Sequence, residues 1–155
     1  MINEQKLYLL TLMSVAMIFM LVGIAGAAQF AYITNFNDNT VSVIDTANNT
    51  VTATLQVGLF PKGVSVTPDG TKVYVTSPHD DPGDFSVIDA ATNKVIANVL
   101  VGESLYGVAV TSEGKNVYVV SGGSYNAPSN VSVINTTTNK VTTNITIGSS
   151  PFAFG

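Results

Sequence analysis

The sequence predicts an all-β fold made of similar four-stranded sheets, and three observations lead to that prediction. Three short motifs recur in the same order three times along the 155 residues. Val, Thr, Asn and Ile dominate after residue 29, and these residues favour strands and turns over helices. No Cys is present, so the domain has neither disulfides nor thiolate metal sites and depends on packing for its stability.

The repeat contains a tyrosine strand, a Val-Ser-Val-Ile strand and a link that begins Val-Gly or Ile-Gly. The tyrosine strand recurs at 32–35, 74–77 and 118–121. The Val-Ser-Val-Ile strand recurs at 41–45, 85–89 and 131–135. The link begins at 57–58, 101–102 and 147–148. Each complete copy also has an inner strand, predicted at 63–66 and 107–110, which a turn such as Pro68-Asp69-Gly70 joins to the tyrosine strand. The copy ends in an outer strand such as 50–57, where apolar and polar residues alternate strictly.

Four antiparallel strands that repeat about every 40 residues are typical of a β-propeller blade. We therefore predict about three blades, over 30–58, 59–102 and 103–148, and the start of a further inner strand over 149–155. The first blade lacks its inner strand, and closed propellers usually have about four to eight blades, so the ring is incomplete. Either a homodimer closes a six-bladed ring, in which each C-terminal strand completes the partner's first blade, or the chain is a truncated relic of a longer surface protein.

An apolar segment at the N-terminus predicts export. Residues 7–24 are predicted to form a hydrophobic helix, which follows Lys6 and precedes the small-residue pattern Ala25-Gly26-Ala27. We interpret 1–27 as a signal peptide cut before Ala28, with a retained membrane anchor as the alternative. Either interpretation places 28–155 outside the cell, with membrane contact only through the N-terminal segment.

The charge pattern argues against nucleic-acid and anionic-membrane partners. The formal net charge is −4, and all six basic residues are Lys. The five Lys residues beyond the N-terminal segment are scattered singly, whereas proteins that bind phosphate backbones cluster their basic residues.

One set of loops differs in length between the repeats and predicts a contact face. The loops at 35–40, 77–84 and 121–130 have 6, 8 and 10 residues, while the spacing from Val43 to Tyr74 and from Val87 to Tyr118 is 31 positions in both cases. Variable loops on a rigid scaffold commonly carry binding functions, although tolerated insertions explain the same pattern. The residues predicted for this face are Lys62, Tyr106, Phe152, His79 and Tyr125.

Ligand-type residues bunch together in one loop only, at 79–84. Asp80, Asp81 and Asp84 form a possible Ca²⁺ site, although a solvated acidic turn is the alternative and the spacing of an EF-hand is absent. His79 is the single His, and no G-x-S-x-G motif accompanies it, so we predict no catalytic residues and no enzyme activity. No cofactor other than Ca²⁺ is expected.

Four Asn residues stand in N-glycosylation sequons, and export makes their modification plausible. Chance also produces this short pattern in a sequence rich in Asn and Thr. The acceptor residues are Asn48, Asn130, Asn135 and Asn144.

The motifs resemble those of the YVTN family of β-propeller repeats, whose signature combines Y-V-T-N, V-S-V-I-D and P-D-G. The resemblance covers 30–155, with departures in the later copies at Leu105, Ser112 and Val120. It implies an extracellular or surface-layer protein. The predicted function is a non-catalytic scaffold or recognition module that contacts protein or glycan at the cell envelope. A subunit that binds a small ligand or Ca²⁺ is the alternative, and a propeller hydrolase ranks third.

Overall fold

The computed structural model describes residues 30–78, 85–122 and 127–151, and these residues form eleven β-strands and no helix. The predicted N-terminal helix lies outside them. Within the described residues, no helix is long and apolar enough to cross a membrane. The strands are β1 Phe30–Asn35, β2 Thr40–Asp45, β3 Thr50–Gln56, β4 Val64–Val66, β5 Lys72–Thr76, β6 Phe85–Asp89, β7 Lys94–Val99, β8 Leu105–Val110, β9 Asn116–Ser121, β10 Ser129–Asn135 and β11 Lys140–Ile147.

The strands form three antiparallel sheets in chain order, which confirms the all-β prediction. The first sheet has the order β1-β2-β3, the second β4-β5-β6-β7, and the third β8-β9-β10-β11. Among the described residues the first sheet has three strands, and β1 forms its inner edge. The inner strand β8 begins at Leu105, two residues before its predicted start, because Leu105 pairs with Ser121 across an irregularity in the register.

Tight turns close the hairpins at the edge opposite the variable loops. Gly70 has a φ of 70°, and its N–H donates to the carbonyl oxygen of Thr67 at 2.8 Å, as expected for the Pro-Asp-Gly turn. Asn49, Asn93 and Asn139 occupy equivalent turn positions and have φ values of 57°, 54° and 52°. Asn tolerates the left-handed region better than most residues, which explains its recurrence there.

The second sheet lies between the other two and buries both of its faces. Alternate residues of β5 point in opposite directions, so Val73 and Val75 pack towards the first sheet and Tyr74 packs towards the third. The ring of Tyr74 stacks on that of Phe85, with centroids 5.5 Å apart. The apolar residues therefore form two cores, one on each side of the second sheet.

The strict alternation predicted for the outer strand is wrong at Val51. A register shift in the β2–β3 ladder pairs Val43 with Ala53 but Ile44 with Val51, which leaves Thr52 as the extra residue of a bulge. Directly opposed residues share a face of the sheet, so Val51 faces away from Ala53 and Leu55. The same bulge recurs in the β6–β7 and β10–β11 ladders.

Candidate functional site

The links between sheets lie beside the strand ends from which the variable loops start. The N–H of Lys62 donates to the carbonyl oxygen of Thr76 at 2.8 Å, and the N–H of Gly122 donates to that of Ser104 at 2.9 Å. Thr76 ends β5, and Gly122 directly follows β9. We call this edge of the sheets the loop rim, meaning the two links at 57–63 and 100–104 and the ends of the strands beside them.

Threonine hydroxyls connect the first two sheets to the segments that lead into the next sheet. Thr34 Oγ1 donates to the carbonyl oxygen of Lys62 at 3.0 Å, and Thr76 Oγ1 donates to that of Tyr106 at 2.8 Å. These Thr residues occupy the third position of the tyrosine motif. Val120 occupies that position in the third sheet, and its side chain has no hydroxyl to donate.

Gly63 makes the second of these contacts possible. A Cβ atom at this position would lie 2.7 Å from Thr76 Oγ1 and 2.7 Å from the carbonyl oxygen of Tyr106. The N–H of Gly63 also donates to Thr76 Oγ1 at 2.9 Å. The small residue that the sequence pattern places at this crowded position therefore allows three segments to meet.

The structure brings together Lys62 and Tyr106, two of the residues predicted for the contact face. Lys62 Nζ lies 4.7 Å from the centroid of the Tyr106 ring, which is the geometry of a cation–π contact. The Tyr106 ring also lies close to Gly122, because a Cβ atom added at Gly122 would be only 2.7 Å from Tyr106 Cε2. Lys62 is exposed and Tyr106 is half-buried, so this pair combines a cation and an ordered aromatic ring at the surface.

A polar pocket of about 360 Å³ opens where the second link meets the third sheet. Its lining offers one carboxylate, two side-chain amides and two hydroxyls, which are groups suited to a polyhydroxylated or otherwise polar ligand. Leu59 and Pro78 stand at the positions in the first link and the second sheet that are equivalent to Glu103 and Gly122, so the repeat does not conserve the polar lining. The lining residues are Val101, Gly102, Glu103, Ser121, Gly122, Asn130, Ser132 and Asn144.

A hydrogen bond between neighbouring strands orders the amide in the pocket wall. Ser132 Oγ donates to Asn144 Oδ1 at 2.7 Å, so the amide of Asn144 keeps its N–H groups as donors. The second sheet has the same pair, because Ser86 Oγ donates to Asn98 Oδ1 at 3.1 Å. This recurrent Ser–Asn pair was missed from the sequence, although its repetition 46 positions apart is the signal that could have identified it.

Two of the four sequon residues line this pocket. At the opposite edge, Asn48 lies in a turn and Asn135 is the last residue of β10. Asn130 and Asn144 are exposed in the pocket wall. Asn48 Nδ2 donates to Asp45 Oδ2 at 3.1 Å, and Asn135 Oδ1 accepts from the N–H of Thr137 at 3.0 Å. A glycan on either pocket residue would fill the space that a free ligand needs.

The remaining predicted site residues lie outside the described residues. They are His79, Tyr125, Phe152, Asp80, Asp81 and Asp84. Within the part of the chain that the structure describes, no group of three His, Cys, Asp or Glu residues is placed to hold a metal ion.

Two tyrosine hydroxyls are buried in the cores without a hydrogen-bond partner among the described residues, those of Tyr32 and Tyr74. Burial, with a smaller contribution from the charge of Asp69, raises the pKa of Tyr74 to about 12. Burial and the charge of Asp89 also raise the pKa of Tyr32. Both side chains stay neutral at physiological pH, and neither lines the polar pocket.

Solved structures with a similar backbone identify the type of fold. A hydrazine synthase of Kuenenia stuttgartiensis matches with a TM-score of 0.73 and 22% identity over 78% of this chain. The dihydro-heme d1 dehydrogenase NirN, in complex with DHE, matches with a TM-score of 0.63 and 22% identity over 80%. A functionally unknown protein of Desulfotomaculum acetoxidans matches with a TM-score of 0.63 and 16% identity over 81%.

The fold is of the β-propeller type. The first two of these proteins are propellers of this type, and identities of this size show the fold alone. The chain spans only 35%, 25% and 40% of the three matched chains. No family model matches the sequence, and no curated protein matches it either.

Proposed function

We propose that this protein is a non-catalytic recognition module of the cell envelope, related to the YVTN propeller repeats, and that it binds glycan at the loop rim. The hydrophobic segment at 7–24 supports an extracellular location, because it has the length and flanks of an export signal. The repeat motifs support the relationship to surface-layer proteins.

The polar pocket is the observation on which the proposal rests. Sugars present closely spaced hydroxyl groups that both donate and accept hydrogen bonds. The pocket supplies acceptors on the carboxylate of Glu103 and donors on the amides of Asn130 and Asn144. The Ser132 hydroxyl holds the Asn144 amide in one orientation before a ligand arrives, which reduces the entropic cost of binding.

The aromatic ring beside the pocket adds an apolar surface of the kind that sugar rings pack against. Tyr106 lies on Gly122, which itself lines the pocket. Lys62 covers part of the ring from the opposite link. The site therefore spans both links of the loop rim.

The test compares two equivalent variants, Asn144→Ala in the pocket and Asn98→Ala in the second sheet. Each substitution removes an exposed Asn that accepts a hydrogen bond from a Ser, and only Asn144 lines the pocket. The full chain, produced without N-glycosylation, is titrated calorimetrically with neutral oligosaccharides. These are released from the envelope of the cells in which the protein naturally occurs.

We expect Asn144→Ala to weaken binding about fivefold, since one lost hydrogen bond to a ligand corresponds to about 1 kcal/mol. Asn98→Ala should bind like the wild type. Equal affinities of all three proteins would place the contact elsewhere, and a wild type that binds none of these oligosaccharides would refute the glycan proposal. Binding of an envelope protein that Asn144→Ala leaves unchanged would also contradict it.

A further inference from the structure

The first sheet exposes an apolar face that the other two sheets bury. Val75 and Val119 are 0% exposed at the centre of this face in the second and third sheets, whereas the equivalent Ile33 is 50% exposed and Val51 is 60% exposed. In the second and third sheets this face packs against the preceding sheet. Its residues in the three sheets are, in order, Ala31, Ile33, Ile44 and Val51; Val73, Val75, Ile88 and Val95; and Val117, Val119, Ile134 and Val141.

The third sheet exposes the opposite face, which carries the repeat tyrosine. In the first two sheets this face packs against the following sheet, and Val41, Phe85 and Tyr74 on it are 0% exposed. In the third sheet Tyr118 and Val131 are only half-buried, and Ile145 is 45% exposed. The residues of this face are, in order, Tyr32, Val41, Val43 and Leu55; Tyr74, Phe85, Val87 and Val99; and Tyr118, Val131, Val133 and Ile145.

The two open faces are therefore the two halves of the interface that the chain already forms twice. The tyrosine face of the first sheet packs on the opposite face of the second sheet. The tyrosine face of the second sheet packs in the same way on the opposite face of the third sheet. The third sheet offers a tyrosine face without a partner among the described residues, and the first sheet offers its complement. Large exposed apolar faces of this kind mark interaction sites.

We propose that the third sheet of one copy packs on the first sheet of a second copy, so that two chains close a ring of six sheets. A head-to-tail contact generates a ring when its rotation closes, and six sheets lie within the range of about four to eight blades in closed propellers. The occupant is a second copy because this chain carries both complementary faces, each with the residue pattern of the internal interfaces. This proposal does not depend on the glycan site.

The segment after β11, residues 148–151, repeats the backbone geometry of the two links that lead to inner strands. Phe60 and Ser104 precede β4 and β8 with φ values of 55° and 52°, and Ser150 occupies the equivalent position with a φ of 55°. The inner edge of β1 has no strand partner among the described residues. In the proposed ring, the segment 148–151 lies where the third sheet of one copy meets the first sheet of the other.

The first test measures mass by light scattering after size exclusion, on the full chain in mild detergent, with the protein mass separated from that of the micelle. The wild type should have the mass of two chains, and Ile33→Asp that of one, because the substitution places a charge in both interfaces of the ring. Ile96→Asp is the matched control, since Ile96 is also 50% exposed but lies on the outer strand of the middle sheet.

Each other result overturns the proposal. A wild-type monomer means that no second copy covers the faces, and a mass above two chains means that the contact does not close. A dimeric Ile33→Asp, or an equally monomeric Ile96→Asp, would place the contact elsewhere. Circular dichroism must show an unchanged strand signal, and an unfolded Ile33→Asp is replaced by the milder Ile33→Thr in the same comparison.

The second test establishes the head-to-tail orientation. Ile145→Lys should also give monomers, because Ile145 lies on the other open face. An equimolar mixture of Ile33→Asp and Ile145→Lys should recover the dimer, since one interface is then wild type and the other pairs Asp with Lys. A mixture that stays monomeric contradicts the head-to-tail contact.

Discussion

The hydroxyl of Thr76 donates a hydrogen bond of 2.8 Å to the carbonyl oxygen of Tyr106, although these residues belong to different sheets. The same oxygen of Thr76 accepts a hydrogen bond from the N–H of Gly63 at 2.9 Å. Thr76 is fully buried. This one side chain therefore connects the end of β5 with the first link and with the start of β8, and it sets the geometry of the loop rim.

Replacing Thr76 with Val should destabilise the protein by about 1–3 kcal/mol. Val has nearly the same shape, but it leaves the carbonyl of Tyr106 and the N–H of Gly63 without this buried partner. The free energy of unfolding in urea measures the effect. Thr34→Val is the control, since its bond to Lys62 is exposed to water and its loss should cost less. Equal stabilities of the Thr76 variant and the wild type would contradict this role.

Gly63→Ala should destabilise the same junction by about 1–3 kcal/mol, as overpacking of a tight site usually does. The new Cβ atom would lie 2.7 Å from a backbone oxygen that is fixed in β8. Gly148→Ala is the matched control, because a Cβ atom there meets nothing within 4 Å. Thermal unfolding of both variants is the measurement, and a Gly63→Ala protein as stable as Gly148→Ala would show that the junction is looser than described.

Tyr74 should make the stability depend on pH in the alkaline range. Its folded-state pKa of about 12 lies above the ordinary value of 10.0, so folding favours the protonated hydroxyl. The folded state therefore loses no stability to ionisation of this hydroxyl below about pH 10, and it loses stability as the pH rises from 10 towards 12. Urea unfolding from pH 8 to 12 measures it against Tyr74→Phe, which removes the titrating group.

The same variant tests the unpartnered hydroxyl at neutral pH. Because Tyr74 Oη has no hydrogen-bond partner among the described residues, Tyr74→Phe should be at least as stable as the wild type at pH 7. It should also lose stability less steeply above pH 10. A clear loss of stability at pH 7, or an unchanged alkaline profile, would contradict the described environment of the ring.

The sequon residues should differ in their modification. Asn48 is exposed in a turn at the edge opposite the loop rim, so a glycan there leaves the pocket and both open faces clear. Asn144 lines the pocket, and a glycan there would occupy it. Peptide mapping by mass spectrometry of protein from a glycosylating cell should find glycan on Asn48 and an unmodified Asn144. A fully modified Asn144 would make the pocket a glycan attachment site and exclude a free ligand.

The repeat predicted most of the fold because each motif carries the alternation that sheet packing requires. Tyr32 and Tyr74 face the following sheet, as their equivalent places in the repeat imply. Tyr118 lies on the same face of the third sheet, which is open. The bulge at Thr52 could not be predicted, since the residues around it alternate without a break in the sequence. It is the pairing with β2 that turns Val51 to the other face.

The polar pocket was less predictable, because its residues come from four separate segments of the chain. Lys62 and Tyr106 were placed on the rim by the spacing of the repeats, and the structure adds their contact. Glu103 has no counterpart in the first link, where Leu59 takes its position, so the repeat gave no signal for it. The pocket depends on how far apart the second link and the third sheet lie, which only the packed structure determines.

The most direct test of the proposed function is a map of the binding surface by nuclear magnetic resonance. The full chain, labelled with ¹⁵N, is titrated with neutral oligosaccharides from the envelope of the cells in which the protein naturally occurs. The signals of Asn144, Asn130 and Gly122 should shift in a saturable way, while those of Asn98 and Ser86 stay in place. Shifts confined to the second sheet, or none at all, would contradict a glycan site at the loop rim.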